Sequence, residues 1–354
     1  MSEFREEGVA LPGRSGAWED ARAAGVVARK ARERFVRGAG KRRSQMAGKN
    51  SLHPATLYQK GNGPTSLCSS HDGQTVAVRH RVPDVEAALT FIVPQDSKPY
   101  FKSAALTGGQ PEYFFETEEH TVAIRDMRDM AGELSLDRQG FELHHHETAV
   151  DDLYDDDAVE RDYDPEIEAL LRETTGADRV VVFDHTRRSD GPIGAVNRDG
   201  LRGPASRVHV DYTVASGPKR ARDVLGAEEV ERILASGGRL MQVNVWRPIK
   251  GPVVRAPLAL ADAASVAPAE LVATDQVFPD RVGEIYEVAH GAGQRWYWAS
   301  RMQRDEVLLI KSWDSLADGR ARFTPHAAFR LPDERPHTPA RESIEVRTYL
   351  AFEG

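Results

Sequence analysis

The stretch Arg207-Val208-His209-Val210-Asp211-Tyr212-Thr213 sets valines between polar residues, the alternation of a strand with two unlike faces. His209 and Asp211 then project from one face. An imidazole and a carboxylate so placed can hold one metal ion from one side. A second, distant histidine would complete the two-histidine, one-carboxylate facial triad of non-haem iron(II) oxygenases. The H-x-D pair alone is equally an ordinary polar strand end. Three later histidines can supply the third ligand. His290 sits at a turn between Ala289 and Gly291, and His337 lies in a proline-rich segment. His326, in Phe323-Thr324-Pro325-His326-Ala327-Ala328-Phe329, has apolar neighbours that suit an inward position, and it is the preferred ligand; a hydrogen-bonded core histidine is the alternative.

Downstream, Arg341-Glu342-Ser343-Ile344-Glu345-Val346-Arg347 alternates as a strand with Arg341 and Ser343 on one face. A guanidinium fork beside a hydroxyl suits the distal carboxylate of a dicarboxylic acid such as 2-oxoglutarate. Arg347, further along the strand, is the alternative anchor, and Arg247 is a further candidate for the cosubstrate. Trp296 and Trp298 share a strand face and are candidates for lining a substrate pocket with Arg187 and Tyr212; His185 and Tyr212 are candidates for supporting the ligands. Arg187, Arg188, Arg247 and Lys311 supply more cations near these motifs than one 2-oxoglutarate needs, which points to a carboxylate-bearing substrate. Ion pairs with the local aspartates are the competing explanation. His144-His145-His146 offers a rival ligand set, but consecutive strand positions rarely converge on one ion, so polar strand residues are expected there.

The elements that position these residues read as mainly β with flanking helices. Residues 1–50 form a basic N-terminal arm rich in Arg, Lys, Ala and Gly, expected to be frayed or disordered. Residues 51–354 form a single domain, with an α+β part over 51–177 and a strand-dense core over 178–354. Strands are expected over 75–82, 121–126, 180–183, 240–246, 253–261, 306–312 and 343–352, with a hairpin pairing 284–289 and 295–299 through Gly291-Ala292-Gly293. Short strands between turn signals favour a double-stranded β-helix, the cupin-like jelly roll, over βαβ units. One helix is expected to start with Asp164 as N-cap and Pro165 in its first turn and to end at Gly176; another runs over 216–236. The glycine- and proline-rich connection 187–207 is a candidate lid.

The chain has 354 residues, a net charge of −8 and a pI near 5.9, which argues against nucleic acid as the main partner. Its single cysteine, Cys68, cannot close an internal disulfide. No apolar run approaches membrane-spanning length and the first residues lack a signal-peptide core, so a cytoplasmic protein without a membrane partner is expected.

Several motifs together resemble the hydroxylase/desaturase family of secondary metabolism, whose members include small cephem-methoxylase-like, fungal gibberellin-desaturase-like and AsaB-like proteins. The stretches are Val181-Val182-Phe183-Asp184-His185-Thr186-Arg187-Arg188, Val208-His209-Val210-Asp211-Tyr212-Thr213 and Asn244-Val245-Trp246-Arg247-Pro248-Ile249, followed by Arg295-Trp296-Tyr297-Trp298, Lys311-Ser312-Trp313-Asp314-Ser315, Thr324-Pro325-His326-Ala327-Ala328-Phe329 and the Arg341 strand. They keep their order from about residue 120 to 352. The resemblance implies an iron(II)- and 2-oxoglutarate-dependent oxygenase that uses dioxygen, with His209, Asp211 and His326 as ligands. The chain departs from the pattern at Gln294, where relatives often carry histidine before Arg-Trp-Tyr. Hydroxylation, desaturation and oxidative cyclisation of a small molecule are all compatible with it. A cupin-type metal hydrolase or isomerase, and a non-catalytic binding component of a two-protein oxygenase, are the alternatives. A homodimer or a partner subunit is compatible with either.

Overall fold

In a computed structural model of the chain, residues 84–354 are described apart from positions 109, 198, 199 and 336, together with the backbone of residues 66–69 and 75–78. The expected basic arm of residues 1–50 lies outside the described residues. Strands β1 (Ser66–Ser69) and β2 (Thr75–Val78) form a separate hairpin. Next, β3 (Val85–Ile92) pairs antiparallel with β6 (Thr117–Asp126), and β4 (Tyr100–Lys102) and β5 (Glu112–Tyr113) lie between them in sequence. β7 (Phe141–His145) carries the first two residues of the histidine run.

The helix Asp164–Thr175 has Pro165 in its first turn and stops at Gly176, whose φ of 72° is left-handed. Asp164 does not cap it. A π-turn over Val159–Tyr163 leads straight into the helix, and the Asp164 carboxylate instead accepts from His185 at 2.6 Å. β8 (Arg179–Ser189) follows, then the small hairpin β9 (Ala195–Asn197) and β10 (Gly200–Arg202), then β11 (His209–Val210). The helix expected over 216–236 is two, Ser216–Leu225 and Ala227–Ala235. Gly226 between them has φ 94° and ψ 141°, outside any helical conformation.

The remaining strands are β12 (Arg239–Pro248), β13 (Leu258–Ala261), β14 (Leu271–Val277), β15 (Val282–Val288), β16 (Trp296–Trp298), β17 (Glu306–Asp314), β18 (His326–Ala328) and β19 (Glu342–Phe352). They close two facing sheets. One is five-stranded, in the order β7-β17-β12-β19-β8; the other runs β3-β6-β16-β13-β18-β11-β15-β14-β4-β5 and curls. Its β3 returns to the start of β11, where Val208 N–H donates to the Thr90 carbonyl at 2.9 Å. The architecture is the expected jelly roll. The expected hairpin across Gly291–Gly293 does not form. β15 pairs with β11 and β14, whereas β16 pairs with β13 and β6, so the connection carries the chain to another part of the sheet.

Alternation assigns each strand face. On β12 and β19, Met241, Val243, Val245, Ile344, Val346 and Leu350 point outward and are buried against Ile167, Leu170 and Leu171 of the helix. Burying each such side chain contributes roughly 1.5–3 kcal/mol, enough to fix the register of both strands. The opposite face, carrying Trp246, Leu308 and Ile310, meets Leu258, Leu260 and Tyr297 of the other sheet across the barrel interior. Val208, Val210, Ala259, Ala261 and Ala327 face away from that interior.

Candidate active site

Because Val208 and Val210 are buried on the far side of β11, His209 must face the interior. β11 lies between β15 and β18, and antiparallel pairing sets His326 directly across from His209. Their rings are 4.5 Å apart between centroids, and His209 Nε2 is 3.7 Å from Asp211 Oδ1. The ligand atoms of His209, Asp211 and His326 all lie within 4.8 Å of one another; among the described residues no other group of His, Cys, Asp and Glu does so. Each imidazole is oriented by its other nitrogen. His209 Nδ1 meets the Arg207 carbonyl at 2.9 Å and His326 Nδ1 meets the Thr324 carbonyl at 3.0 Å. A carbonyl accepts only, so Nδ1 carries the proton and Nε2 presents a lone pair.

The electrostatics agree with a cation site. Burial, then the neighbouring His326, pushes His209 down to about 3, so it stays neutral at neutral pH. Burial alone would raise the Asp211 carboxyl. The Arg347 guanidinium at 3.7 Å, both imidazoles and a hydrogen bond from Asn244 reverse this and hold it below the usual carboxylate range. Two imidazoles and one carboxylate on a common face suit iron(II).

Asn244 was not singled out as a functional residue in the sequence. It lies on the inward face of β12 and donates to Asp211 Oδ2 at 2.6 Å, while its own carbonyl accepts from Gln242 Nε2 at 2.6 Å. Its alternation against outward Val243 and Val245 was the available signal. Replacing Asn244 with alanine is expected to weaken iron(II) binding about 10–100-fold by freeing the Asp211 carboxylate to rotate. Metal titration of the variant, with the unfolding midpoint as a control, checks this.

Arg341 and Ser343 are also inward and almost fully buried, at 3% and 1% exposure. Arg341 gives Nη1 to the Ala256 carbonyl at 2.7 Å and lies over the Trp246 ring, but among the described residues its Nε has no partner and it forms no ion pair. Burial, then the nearby Arg188 charge, pushes Arg341 down to about 10. Arg347 is the opposite case, held by Asp184 and Glu345 at 3.0 Å each. A cavity of about 2320 Å³ opens onto His209, Asp211, Arg347, Arg188, Glu287 and Tyr212. Burial pushes the Tyr212 hydroxyl up to about 12, so it stays protonated.

Other sequence candidates lie elsewhere. Arg247 shares the outward face of β12 with Val243 and Val245. It is fully buried there, donating to Tyr163 Oη at 2.7 Å, the Arg304 carbonyl at 2.6 Å and His146 Nδ1. It cannot reach the cosubstrate. An Arg247→Met change is expected to cost about 2–4 kcal/mol in urea unfolding without altering the 2-oxoglutarate requirement. Lys311 is equally committed, to Asp137 at 2.6 Å and Asp314 at 2.9 Å. Trp296 and Trp298 share their face with Ala261 and pack on Phe91, Ile124 and Phe329, on the opposite side of the sheet from His209 and His326. They are core and do not line the cavity; Tyr297 between them faces the interior. Arg187 stands opposite outward Ile344 and bonds the Leu153 carbonyl and Asp156, both at 2.7 Å; it borders the large cavity, as expected, from the outward side of β8. His185, opposite Val346, is likewise outward and bonded to Asp164 rather than supporting the ligands. The histidine run behaves as polar strand residues: His144 pairs with Glu142, His145 with Asp305, and His146 with Arg247. His290 stacks on His120 at 3.8 Å and His337 is exposed, so neither joins the triad.

Fold and site together define the class, a jelly-roll, non-haem iron(II)- and 2-oxoglutarate-dependent dioxygenase. Residues 89–351 match the model of the oxidoreductase/YMDC permease-like domain. The hydroxylase/desaturase efuI of Hormonema carpetanum is 37% identical over 262 residues, covering 66% of this chain and 83% of that protein. The Fe(II)/2-oxoglutarate-dependent dioxygenase nvfI of Aspergillus novofumigatus (strain IBT 16806) is 32% identical over 285 residues, covering 76% and 97%. A solved structure of the iron and alpha-ketoglutarate-dependent endoperoxidase NvfI superposes with a TM-score of 0.67 at 30% identity, covering 77% of this chain and 98% of that one. The chain belongs to this hydroxylase/desaturase family of Fe(II)/2-oxoglutarate dioxygenases. Its cofactors are iron(II), 2-oxoglutarate and dioxygen. No described helix is long and apolar enough to cross a membrane.

Proposed function

We propose that His209, Asp211 and His326 hold the iron(II), that Arg341 and Ser343 receive the distal carboxylate of 2-oxoglutarate, and that the large cavity admits a small-molecule substrate whose C–H bond is hydroxylated, desaturated or cyclised. The observation that carries this is the triad itself, with three ligand atoms within 4.8 Å and both imidazoles turned by backbone carbonyls to present Nε2.

Iron(II) bound with 2-oxoglutarate and dioxygen supplies an oxidant for hydrogen-atom removal, the keto acid leaving as succinate and carbon dioxide. The protein's part is to bind, orient and exclude. Asn244 and Arg347 hold Asp211 ionised and in place. Arg341 offers a buried, uncompensated guanidinium to the far end of the cosubstrate. Leu258, Leu260, Leu308 and Ile310 keep the floor of the interior apolar. That restricts water to the cavity side of the ligands.

Anaerobic titration of the purified protein with iron(II) and 2-oxoglutarate tests the reading. One iron per chain and a weak visible absorption band that needs both components are expected, followed by succinate release on admitting air. Absence of the band, with zinc bound and hydrolysis of esters instead, would establish the cupin-hydrolase alternative.

A further inference from the structure

Of the four cations that outnumber the needs of one 2-oxoglutarate, three are accounted for by outward or peripheral bonding. Arg247 and Lys311 spend their donors on structural partners, and Arg187, although it borders the cavity with Nη2 unpartnered among the described residues, is held by the Leu153 carbonyl and by an ion pair to Asp156. Arg188 is placed differently. It stands directly opposite Ser343 across the β8–β19 pair, and cross-strand partners share a face, so it projects inward with Arg341 and Ser343. Unlike those two residues, it lines the open cavity.

Among the described residues its guanidinium makes one hydrogen bond, from Nη1 to the Gly203 carbonyl at 3.0 Å, and no carboxylate is in ion-pair contact with it. The acidic groups around it are already committed. Asp184 and Glu345 pair with Arg347, and Asp190 pairs with Arg255 at 2.7 Å. Burial lowers the Arg188 pKa, and the nearby Glu345 charge, already paired with Arg347, offsets this only in part. Two guanidiniums without an ion-pair partner among the described residues, the buried Arg341 and Arg188 at the cavity wall, therefore stand on one face of the barrel. In the proposed function, one carboxylate of 2-oxoglutarate goes to the metal and the other to Arg341. Arg188 is left over for a second anion arriving through the cavity.

The wall of that cavity adds a second feature. Ile193, Leu201 and Val282 line it while exposed by 72%, 53% and 52%, and Tyr113 lines it at 40%. Large, exposed apolar side chains along the wall of a polar cleft suit an apolar body. We infer that Arg188 is the specificity residue that receives the carboxylate of an apolar acid substrate, whose hydrocarbon body rests against this wall. This rests on the iron/2-oxoglutarate reading only in assigning the cosubstrate to Arg341.

Calorimetric titration of the anaerobic iron(II)–2-oxoglutarate form with decanoate, 1-naphthaleneacetate and abietate, each beside its methyl ester, tests the inference. At least one acid is expected to bind about tenfold or more tightly than its ester, the size of one charge-assisted contact. Arg188→Gln is expected to erase that preference and Arg188→Lys to restore part of it, with unchanged far-ultraviolet dichroism. The 2-oxoglutarate concentration that half-develops the visible band should stay within about twofold in Arg188→Gln. Equal binding of acid and ester, binding of no acid, or a preference that survives Arg188→Gln overturns the inference. A large rise in the 2-oxoglutarate requirement in Arg188→Gln also overturns it, by placing Arg188 on the cosubstrate. Failure of the band to form in the unaltered protein would count against the iron/2-oxoglutarate reading instead, because the acid-to-ester ratio is measured separately.

Discussion

His326→Ala is expected to lose stoichiometric iron(II) and to bring succinate formation down by about three orders of magnitude or more, while the protein stays folded. Removing one of three protein ligands leaves His209 and Asp211, a pair that cannot define one face of an octahedral ion. The structure adds a reason for the strength of the effect. His326 is 3% exposed and its ring is fixed by the Thr324 carbonyl, so its place is closely packed and its orientation is set. The fold tolerates the change, because β18 is held by β13 and β11 through main-chain bonds and by Ala327 on its other face. A cost of about 1–3 kcal/mol is expected for the vacated space. His290→Ala and His337→Ala are the paired controls and should keep both metal and turnover. Full iron content in His326→Ala, with loss in either control, would move the third ligand to that residue.

How much of this was legible in the sequence follows from what alternation can and cannot say. A period of two shows which residues share a face; it does not show which face turns inward. His209 and Asp211 were found because their intervening valines have only one sensible destination. His326 is legible as an inward residue from its apolar neighbours, and the structure sets it across from His209. The same rule misled at Arg247, Trp296 and Trp298. Arg247 shares parity with Val243 and Val245, and the helix Asp164–Thr175 covers that face, so a cation could be buried outside the barrel by Tyr163 and His146. The two tryptophans share the face of Ala261, which β3 and β6 enclose. Neither covering element is visible locally in β12 or β16. The hairpin expected at Gly291–Gly293 failed for a related reason: turn residues report that the chain bends, and the partner of each strand is decided by β11, β13 and β18 lying elsewhere in the sequence. Strand β14 escaped because it is partly exposed at most positions, with Thr274 alone fully buried, and so lacks an apolar period.

Arg341→Ala is expected to raise the 2-oxoglutarate concentration needed for half-maximal turnover by roughly 10–150-fold, the equivalent of losing a charge-assisted contact of about 1.5–3 kcal/mol. Arg341 and Arg347 share the inward face of β19, so position alone does not separate them. Their partners do. Arg347 already faces Asp184, Glu345 and Asp211, and a dicarboxylate brought to it would have to displace one of these. Among the described residues the Arg341 side chain has one carbonyl bond, an unpartnered Nε and no ion-pair partner, with the Ser343 hydroxyl two residues along. A buried cation in that state is destabilising until an anion arrives, so its loss should lower the affinity for cosubstrate far more than the stability of the fold. Arg341→Lys should recover only part of the affinity, since an ammonium keeps the charge and loses the fork. Arg347→Gln is expected to act differently, weakening iron binding through Asp211 with a smaller direct effect on 2-oxoglutarate. The discriminating measurement is a two-way titration, iron at saturating 2-oxoglutarate and 2-oxoglutarate at saturating iron, on both variants. If Arg341→Ala leaves the second curve in place and Arg347→Gln displaces it, the anchor is Arg347, and the uncompensated charge of Arg341 must be met by another anion.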